Sequence, residues 1–90
     1  MEAILGNRPV KAWKISHEPS DLDWVQQNFR RHRFFWMKEM GGMFRAPSSS
    51  FLGGNGIYGE VGDILVLDEQ NHFIIVSEKK FRKQYKAIIE

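Results

Sequence analysis

The sequence predicts a small α+β domain, a mostly antiparallel sheet with two short helices in the order β-α-β-β-(β)-β-β-α. Two observations support this fold class. Of the 90 residues, 42% are hydrophobic and 13% aromatic, a composition that builds one folded domain over residues 1–90. Runs of β-branched and aromatic residues are also interrupted by two segments whose apolar side chains recur at helical spacing.

The first strand and the first helix are predicted from the N-terminal third of the chain. "RPVKAWKI", residues 8–15, alternates two sets of side chains and has Pro9 near its start, where a strand tolerates a missing N–H. Ser20 is a candidate cap for a helix over about residues 21–31. The apolar stripe of that helix consists of Leu22, Val25 and Phe29.

An aromatic hairpin follows. "FFWMKEMGGMFRAP" predicts strands near residues 34–40 and 43–47, joined at a Gly-Gly pair that suits the positive φ of a tight turn. Residues 48–56 are rich in Ser, Gly and Asn, so we expect either a mobile loop at a functional edge or a tolerant connection. A short strand is expected in "IYGEV", residues 57–61.

The C-terminal third predicts a hairpin and a second helix. Residues 64–68 and 73–77 are β-rich and flank a polar turn, in which Asn71 can adopt a left-handed conformation. Ser77 is a candidate helix cap. The side chains expected to dock this helix on the sheet are Phe81, Tyr85 and Ile88 or Ile89.

Both strands of this hairpin are apolar at consecutive positions, in Ile64–Leu67 and in Phe73–Val76. A half-exposed strand would alternate apolar and polar residues, so both faces of the hairpin require burial. In the first interpretation, which we favour, helices cover one face and the aromatic hairpin around Trp36 curls over the other as a half-closed barrel. In the second, a second copy or a host protein covers one face.

Charge is segregated along the chain, although the net charge is only +2. Residues 28–45 carry five basic side chains and one acidic one, and residues 46–77 carry four acidic side chains and no Lys or Arg. Such blocks either create charged faces that steer a partner or neutralise one another in the fold. The basic segment also contains aromatic residues, which is typical of proteins that bind phosphates and stack on unpaired bases.

No catalytic or metal site is predicted. His17, His32 and His72 lack ligand spacing, and the chain has no cysteine to join them. Asp63 follows Gly62 at the start of a strand, where an Asp commonly accepts a backbone N–H in a turn. The serines at 48–50 have no nucleophile-elbow context, and "GGNG" lacks the Lys of a phosphate loop. We expect no enzyme activity, no cofactor and no small-molecule substrate.

The two ends of the chain resemble a group of small phage and prophage proteins of unknown function. The shared pattern is a Pro-Val strand ending in Ala-Trp and a terminal Gly-Asp hairpin followed by a helix with Phe and Tyr. Residues 33–56 have no counterpart in it, and Val61 and Asn71 depart from it. The matching residues are Pro9, Val10, Ala12, Trp13, Gly62, Asp63, Val66, Val76, Phe81 and Tyr85. The resemblance implies a phage accessory protein in a bacterial cytosol and carries no activity with it.

A bacterial cytosolic location also fits the absence of a signal-peptide pattern at the N-terminus and of an apolar run long enough for a membrane. The predicted function is therefore non-catalytic binding of a host or phage protein, or self-association as a homodimer. The alternative is a nucleic-acid-binding module that uses residues 28–36 and the basic C-terminal helix. The candidate partner-binding residues are Arg30, Arg31, Arg33, Trp36, Lys79, Lys80 and Lys83.

Overall fold

The computed structural model describes residues 2–5, 8–47, 56–68, 70–84 and 86–88. Its strands are β1 (Glu2–Leu5), β2 (Arg8–Lys14), β3 (Phe35–Met37), β4 (Met43–Ala46), β5 (Ile57–Gly59), β6 (Ile64–Leu67), β7 (Phe73–Val76) and β8 (Lys86–Ile88). Its helices are α1 (Asp23–Arg30), α2 (Glu78–Gln84) and a 3-10 turn at Lys38–Met40. The α+β class and the predicted order are confirmed, and β1 and β8 are two further strands that flank that order.

The described strands form two antiparallel sheets. The larger has the order β7-β6-β2-β1-β8 and the smaller the order β3-β4-β5. Ala12 of β2 lies opposite Val66 of β6, which in turn lies opposite Ile74 of β7. The smaller sheet stacks on the larger one, where the sequence suggested a single sheet curled into a half-closed barrel.

The apolar run in β6 is explained by burial on both faces of the larger sheet. Successive side chains of a strand point to opposite faces. Ile64 and Val66 therefore join a core cluster on one side, and Leu65 joins a second cluster on the other. All three are at most 2% exposed. The chain itself supplies both covers, as the first interpretation predicted.

The first cover is α2. Its Phe81 is 5% exposed and packs against Val10, Ala12 and other apolar residues of β2, β6 and β7. The predicted cap is confirmed, since the Ser77 Oγ accepts the backbone N–H of Lys80 at 3.1 Å. Lys14 Nζ also lies 3.0 Å from the Glu78 carboxylate, which links the end of β2 to the first turn of α2.

The second cover is a network of aromatic rings in edge-to-face contact. Phe34, only 1% exposed, meets Trp24, Phe29, Phe44 and Phe73 at centroid distances of 5.1 to 6.4 Å. Such ring pairs add about 0.5–1.5 kcal/mol each to the free energy of unfolding, beyond the area that they bury. The network joins the smaller sheet and α1 to the larger sheet.

The position of α1 differs from the expectation that both helices share one face. Val25 of α1 is fully buried in the aromatic cluster, and Leu22 and Phe29 pack against that cluster, so α1 lies on the side opposite α2. The apolar stripe of α1 packs beside the aromatic rings instead of sharing the face that α2 covers.

Three predicted element boundaries need correction. The N-cap of α1 is Leu22, not Ser20, because extended backbone at Leu22 delays the helix to Asp23. The Ser20 Oγ instead accepts the Leu22 N–H at 3.1 Å. The strand expected to reach residue 40 ends at Met37 and continues as the 3-10 turn. The C-terminal helix ends at Gln84, after which β8 pairs with β1.

Some expectations fall outside the described residues. They are the flexible character of residues 48–55 and the docking of Tyr85 and Ile89.

The turn predictions are confirmed. The Gly-Gly pair has φ of 69° and 84°, and Asn71 has φ of 63°. The Asp63 carboxylate accepts the N–H of Glu60 at 3.0 Å, as expected for a structural Asp.

The two neighbouring phenylalanines at 34 and 35 provide a matched test of the aromatic cover. Phe34→Ala should lower the free energy of unfolding by about 3–5 kcal/mol, because it opens a cavity among four rings. Phe35→Ala should lower it by about 1 kcal/mol, because Phe35 is 36% exposed. Urea unfolding followed by circular dichroism gives both values. Equal losses for the two variants would contradict the assigned faces.

The ion pair of α2 predicts a pH dependence. The hydrogen bond and charge of Lys14, followed by the charge of Arg82, hold the pKa of Glu78 below its ordinary value of 4.5. A lowered carboxylate pKa stabilises the fold above about pH 4.5, and this contribution is lost as the pH falls through the folded-state pKa. Glu78→Gln should therefore have a lower free energy of unfolding than the wild type at pH 7. At about pH 2 the two free energies of unfolding should be the same.

Glu60→Gln is the control for this pair, because the Glu60 carboxylate contacts no cation in the described part of the chain. Its unfolding midpoint should follow that of the wild type at both pH values. A Glu78→Gln deficit that stays the same in acid would show that the effect comes from packing instead of charge.

Candidate functional site

Two of the predicted site residues, Arg30 and Trp36, line a single open cleft of about 510 Å³. We call it the α1 cleft. Its walls are the segment 16–20, one side of α1 and the indole of Trp36. The α1 side chains in its wall are Val25, Gln26, Phe29 and Arg30. The volume falls within the range of about 300–1,000 Å³ that is usual for ligand sites.

The apolar part of the α1 cleft is packed against the core. Val25 is fully buried, and Phe29 is fixed by the aromatic network. Across the cleft, the Trp36 indole stacks on the His17 imidazole with ring centroids 4.0 Å apart and planes tilted by 35°. The inner edge of the Trp36 ring meets Phe44 at 5.6 Å, so the core holds the wall in place.

The polar part of the cleft is preorganised by Gln26. Its side-chain amide donates to the Ser20 carbonyl oxygen at 2.6 Å, which ties α1 to the loop that precedes it. Its amide oxygen lies 3.5 Å from Arg30 Nη2, at the limit of a hydrogen bond. Within the described residues the Arg30 guanidinium makes no other side-chain contact, so most of its five donors face solvent.

Arg31 and Arg33 do not line the cleft. Both are exposed: Arg31 closes the C-terminus of α1, and the Arg33 guanidinium lies 5.8 Å from the centre of the Phe73 ring. Their charges remain close to Arg30 because all three surround the end of α1. The structure therefore gathers the arginines at one end of a helix but brings only Arg30 to a cavity.

The predicted lysines occupy a separate surface. Lys79, Lys80 and Lys83 are exposed on α2, on the opposite side of the larger sheet from α1. The shallow depression beside them also contains Glu78, whose carboxylate pairs with Arg82. The two basic segments thus do not form one continuous surface, and an acidic group partly neutralises the second.

The predicted aromatic residues are divided between the core and the surface. Phe34 is buried, Trp36 is half-buried against His17, and Phe35 is exposed. The residues that sequence reasoning offered for stacking on bases are therefore mostly used in packing. The sequence pattern that distinguishes rings facing the core from a ring facing solvent is the alternation along β3, because adjacent strand positions point to opposite faces.

A surface that the sequence analysis missed lies on the other side of the smaller sheet. Phe35 of β3 lies opposite Arg45 of β4, which lies opposite Tyr58 of β5. The Arg45 guanidinium covers the Phe35 ring at 5.1 Å and the Tyr58 ring at 5.9 Å. The next row pairs Met37 with Met43. We call these five side chains the outer face.

The other chemical candidates are occupied in turns or lie outside the described residues. The Asp68 carboxylate accepts the N–H groups of Gln70 and His72 at 2.9 Å. The serines at 48–50 and most of "GGNG" fall in the segment that the structure does not describe. In the described ranges no group of three His, Cys, Asp or Glu side chains could hold a metal ion.

Comparisons with known proteins add no family to this picture. No family model, curated protein or solved structure matches the chain. The resemblance to small phage proteins therefore stays a prediction. Among the helices that the structure describes, none is long and apolar enough to cross a membrane.

The stacked pair at the α1 cleft predicts a specific change in the nuclear magnetic resonance spectrum. His17→Ala removes a ring 4.0 Å from the Trp36 indole. Of the three tryptophan indole N–H signals, that of Trp36 should shift most, and that of Trp13, which is 7% exposed, should stay in place. A shift of the Trp13 signal as large as that of Trp36 would contradict a local stacking contact.

Proposed function

We propose that the protein is a non-catalytic binding module that recognises a partner protein through the outer face. The observation that carries this proposal is the row Phe35, Arg45 and Tyr58, which places two aromatic rings beside a single guanidinium on the solvent side of the smaller sheet. Aromatic residues, Met and Arg are enriched in protein interfaces. All five side chains of the outer face belong to these classes.

The adjacent methionines strengthen this assignment. Met37 and Met43 extend the aromatic row along the same face. Methionine is flexible and polarisable, and it is used at surfaces that adapt to a partner. The five side chains that define the outer face include no Lys, Asp or Glu, residue types that are depleted at the centre of interfaces.

A partner other than a second copy fits this face better. A symmetric homodimer contact centred on the row would bring two Arg45 side chains close to the dimer axis, because each copy presents the same patch. Like charges that meet at an interface oppose association. We therefore infer a partner that presents acidic or neutral polar groups to Arg45. In line with the resemblance, this partner would be a host or phage protein in a bacterial cytosol.

The placement of basic and aromatic groups favours protein over nucleic acid. A strand-binding groove needs cations and exposed rings along one path. Here Phe34 is buried, and the lysines of α2 lie across the larger sheet from Arg30. Burial of Phe34 removes one of the three rings that the segment 28–36 offered for stacking on bases.

Two exposed apolar residues allow a matched test of the proposal. The tagged wild-type chain captures a partner from a nuclease-treated extract of the source cells. The captured protein is purified and titrated with the wild type, with Phe35→Ser and with Val61→Ser. Phe35→Ser should weaken binding by about tenfold or more. Val61→Ser should leave the affinity unchanged, because Val61 is 55% exposed in a turn outside the outer face.

Thermal unfolding of both variants checks that they remain folded. A purified partner that binds Phe35→Ser as tightly as the wild type would contradict the assignment of the outer face. Capture that occurs in a parallel untreated extract but not in the nuclease-treated one would favour the nucleic-acid alternative instead.

A further inference from the structure

The α1 cleft combines an apolar wall with one cation that has open donors. Its half-buried rings, Phe29 and Trp36, suit a planar aromatic group, because rings pack well in offset or edge-to-face contact. The Arg30 guanidinium stands at the cleft rim and suits a carboxylate, which can accept two of its N–H groups together.

We propose that the α1 cleft binds an acidic peptide segment of the partner protein, with one aromatic side chain against Trp36 and one carboxylate on Arg30. This inference rests on the proposed function, because the segment belongs to the protein that the outer face contacts. It adds that the partner carries an acidic segment with an aromatic side chain, which the outer face alone does not specify.

The strand β3 connects the two surfaces. It is an edge strand of the smaller sheet, and it presents Phe35 and Met37 to the outer face and Trp36 to the cleft. A partner seated on the outer face therefore reaches the α1 cleft by crossing a single strand. An extended peptide is the element that fits such a path, since it can cross an edge and insert alternate side chains.

The charges around the cleft favour an anionic segment and fix its direction. Arg30 lies at the C-terminal end of α1 and is the cation in the cleft wall, whereas among the described wall residues the one carboxylate is that of Glu18. Glu18 follows His17, on the loop side of the cleft. A ligand carboxylate is attracted to the Arg30 end and repelled from the Glu18 end.

Nuclear magnetic resonance titration of the full chain tests this inference without knowledge of the partner. The probes are the peptides acetyl-Glu-Phe-Glu-amide, acetyl-Lys-Phe-Lys-amide and acetyl-Glu-Ala-Glu-amide, and a short oligothymidylate. The first peptide should give saturable shifts at the Trp36 indole and the His17 ring. The two peptides that lack either the acidic groups or the aromatic ring should bind at least about tenfold more weakly.

A charge-matched pair of variants locates the carboxylate. Arg30→Gln should weaken the binding of acetyl-Glu-Phe-Glu-amide by about tenfold, the effect of losing one charge-assisted hydrogen bond. Arg31→Gln removes the same charge one residue away, outside the cleft, and should change the affinity by less than about twofold. Both side chains are exposed, so both variants should fold.

Four results would overturn the inference. They are no peptide shift at Trp36, equal loss in the two Arg variants, equal affinity for all three peptides, and preference for oligothymidylate. The peptide titration and the partner capture test the two surfaces separately. Partner capture that is sensitive to Phe35→Ser, together with no peptide shift at Trp36, would leave the proposed function standing and reject the cleft ligand. Peptide binding at Trp36 with capture that ignores Phe35→Ser would retain the cleft and reject the outer face.

Discussion

The architecture depends on one constraint: the central strands of the larger sheet are apolar on both faces. Ile64 and Val66 point to one side and Leu65 to the other, and all three are buried. A sheet of this kind is stable only when both sides are covered, and each buried aliphatic side chain contributes about 1.5–3 kcal/mol. The α2 helix covers one side through Phe81. The aromatic network covers the other and brings α1 and the smaller sheet with it.

These covers determine where a partner can bind. Because the hairpin of β6 and β7 is enclosed apart from Ile74, which is 43% exposed, the apolar run that first indicated an interface is used within the chain. The aromatic cover has a second side, and that side is the outer face. The wall of the α1 cleft is likewise a part of the cover, since Trp36 contacts the core through Phe44. The same residues thus stabilise the fold and shape both candidate surfaces.

The sequence predicted the elements whose burial follows a local period. The alternation around Trp13 and the stripe around Val25 depend only on neighbouring residues, and the structure confirms both. The strand β8 was missed because it pairs with β1 across almost the whole chain, which no local pattern records. The strand β1 pairs with its neighbour β2 as well. A Gly-Asn pair between β1 and β2 in the sequence was an available hairpin signal. The outer face was missed because the aromatic residues at 34–36 were treated together, as core packing or as rings that stack on bases, without the alternation that sends Phe35 to the opposite face.

The most direct test of the central claim is urea unfolding of the isolated chain at two protein concentrations, about a hundredfold apart. If the chain covers both faces of its own sheet, unfolding is cooperative and the midpoint is the same at both concentrations. A midpoint that rises with concentration would show that a second copy completes the sheet. A chain that keeps its secondary structure but lacks fixed aromatic packing would show that another protein must supply the cover.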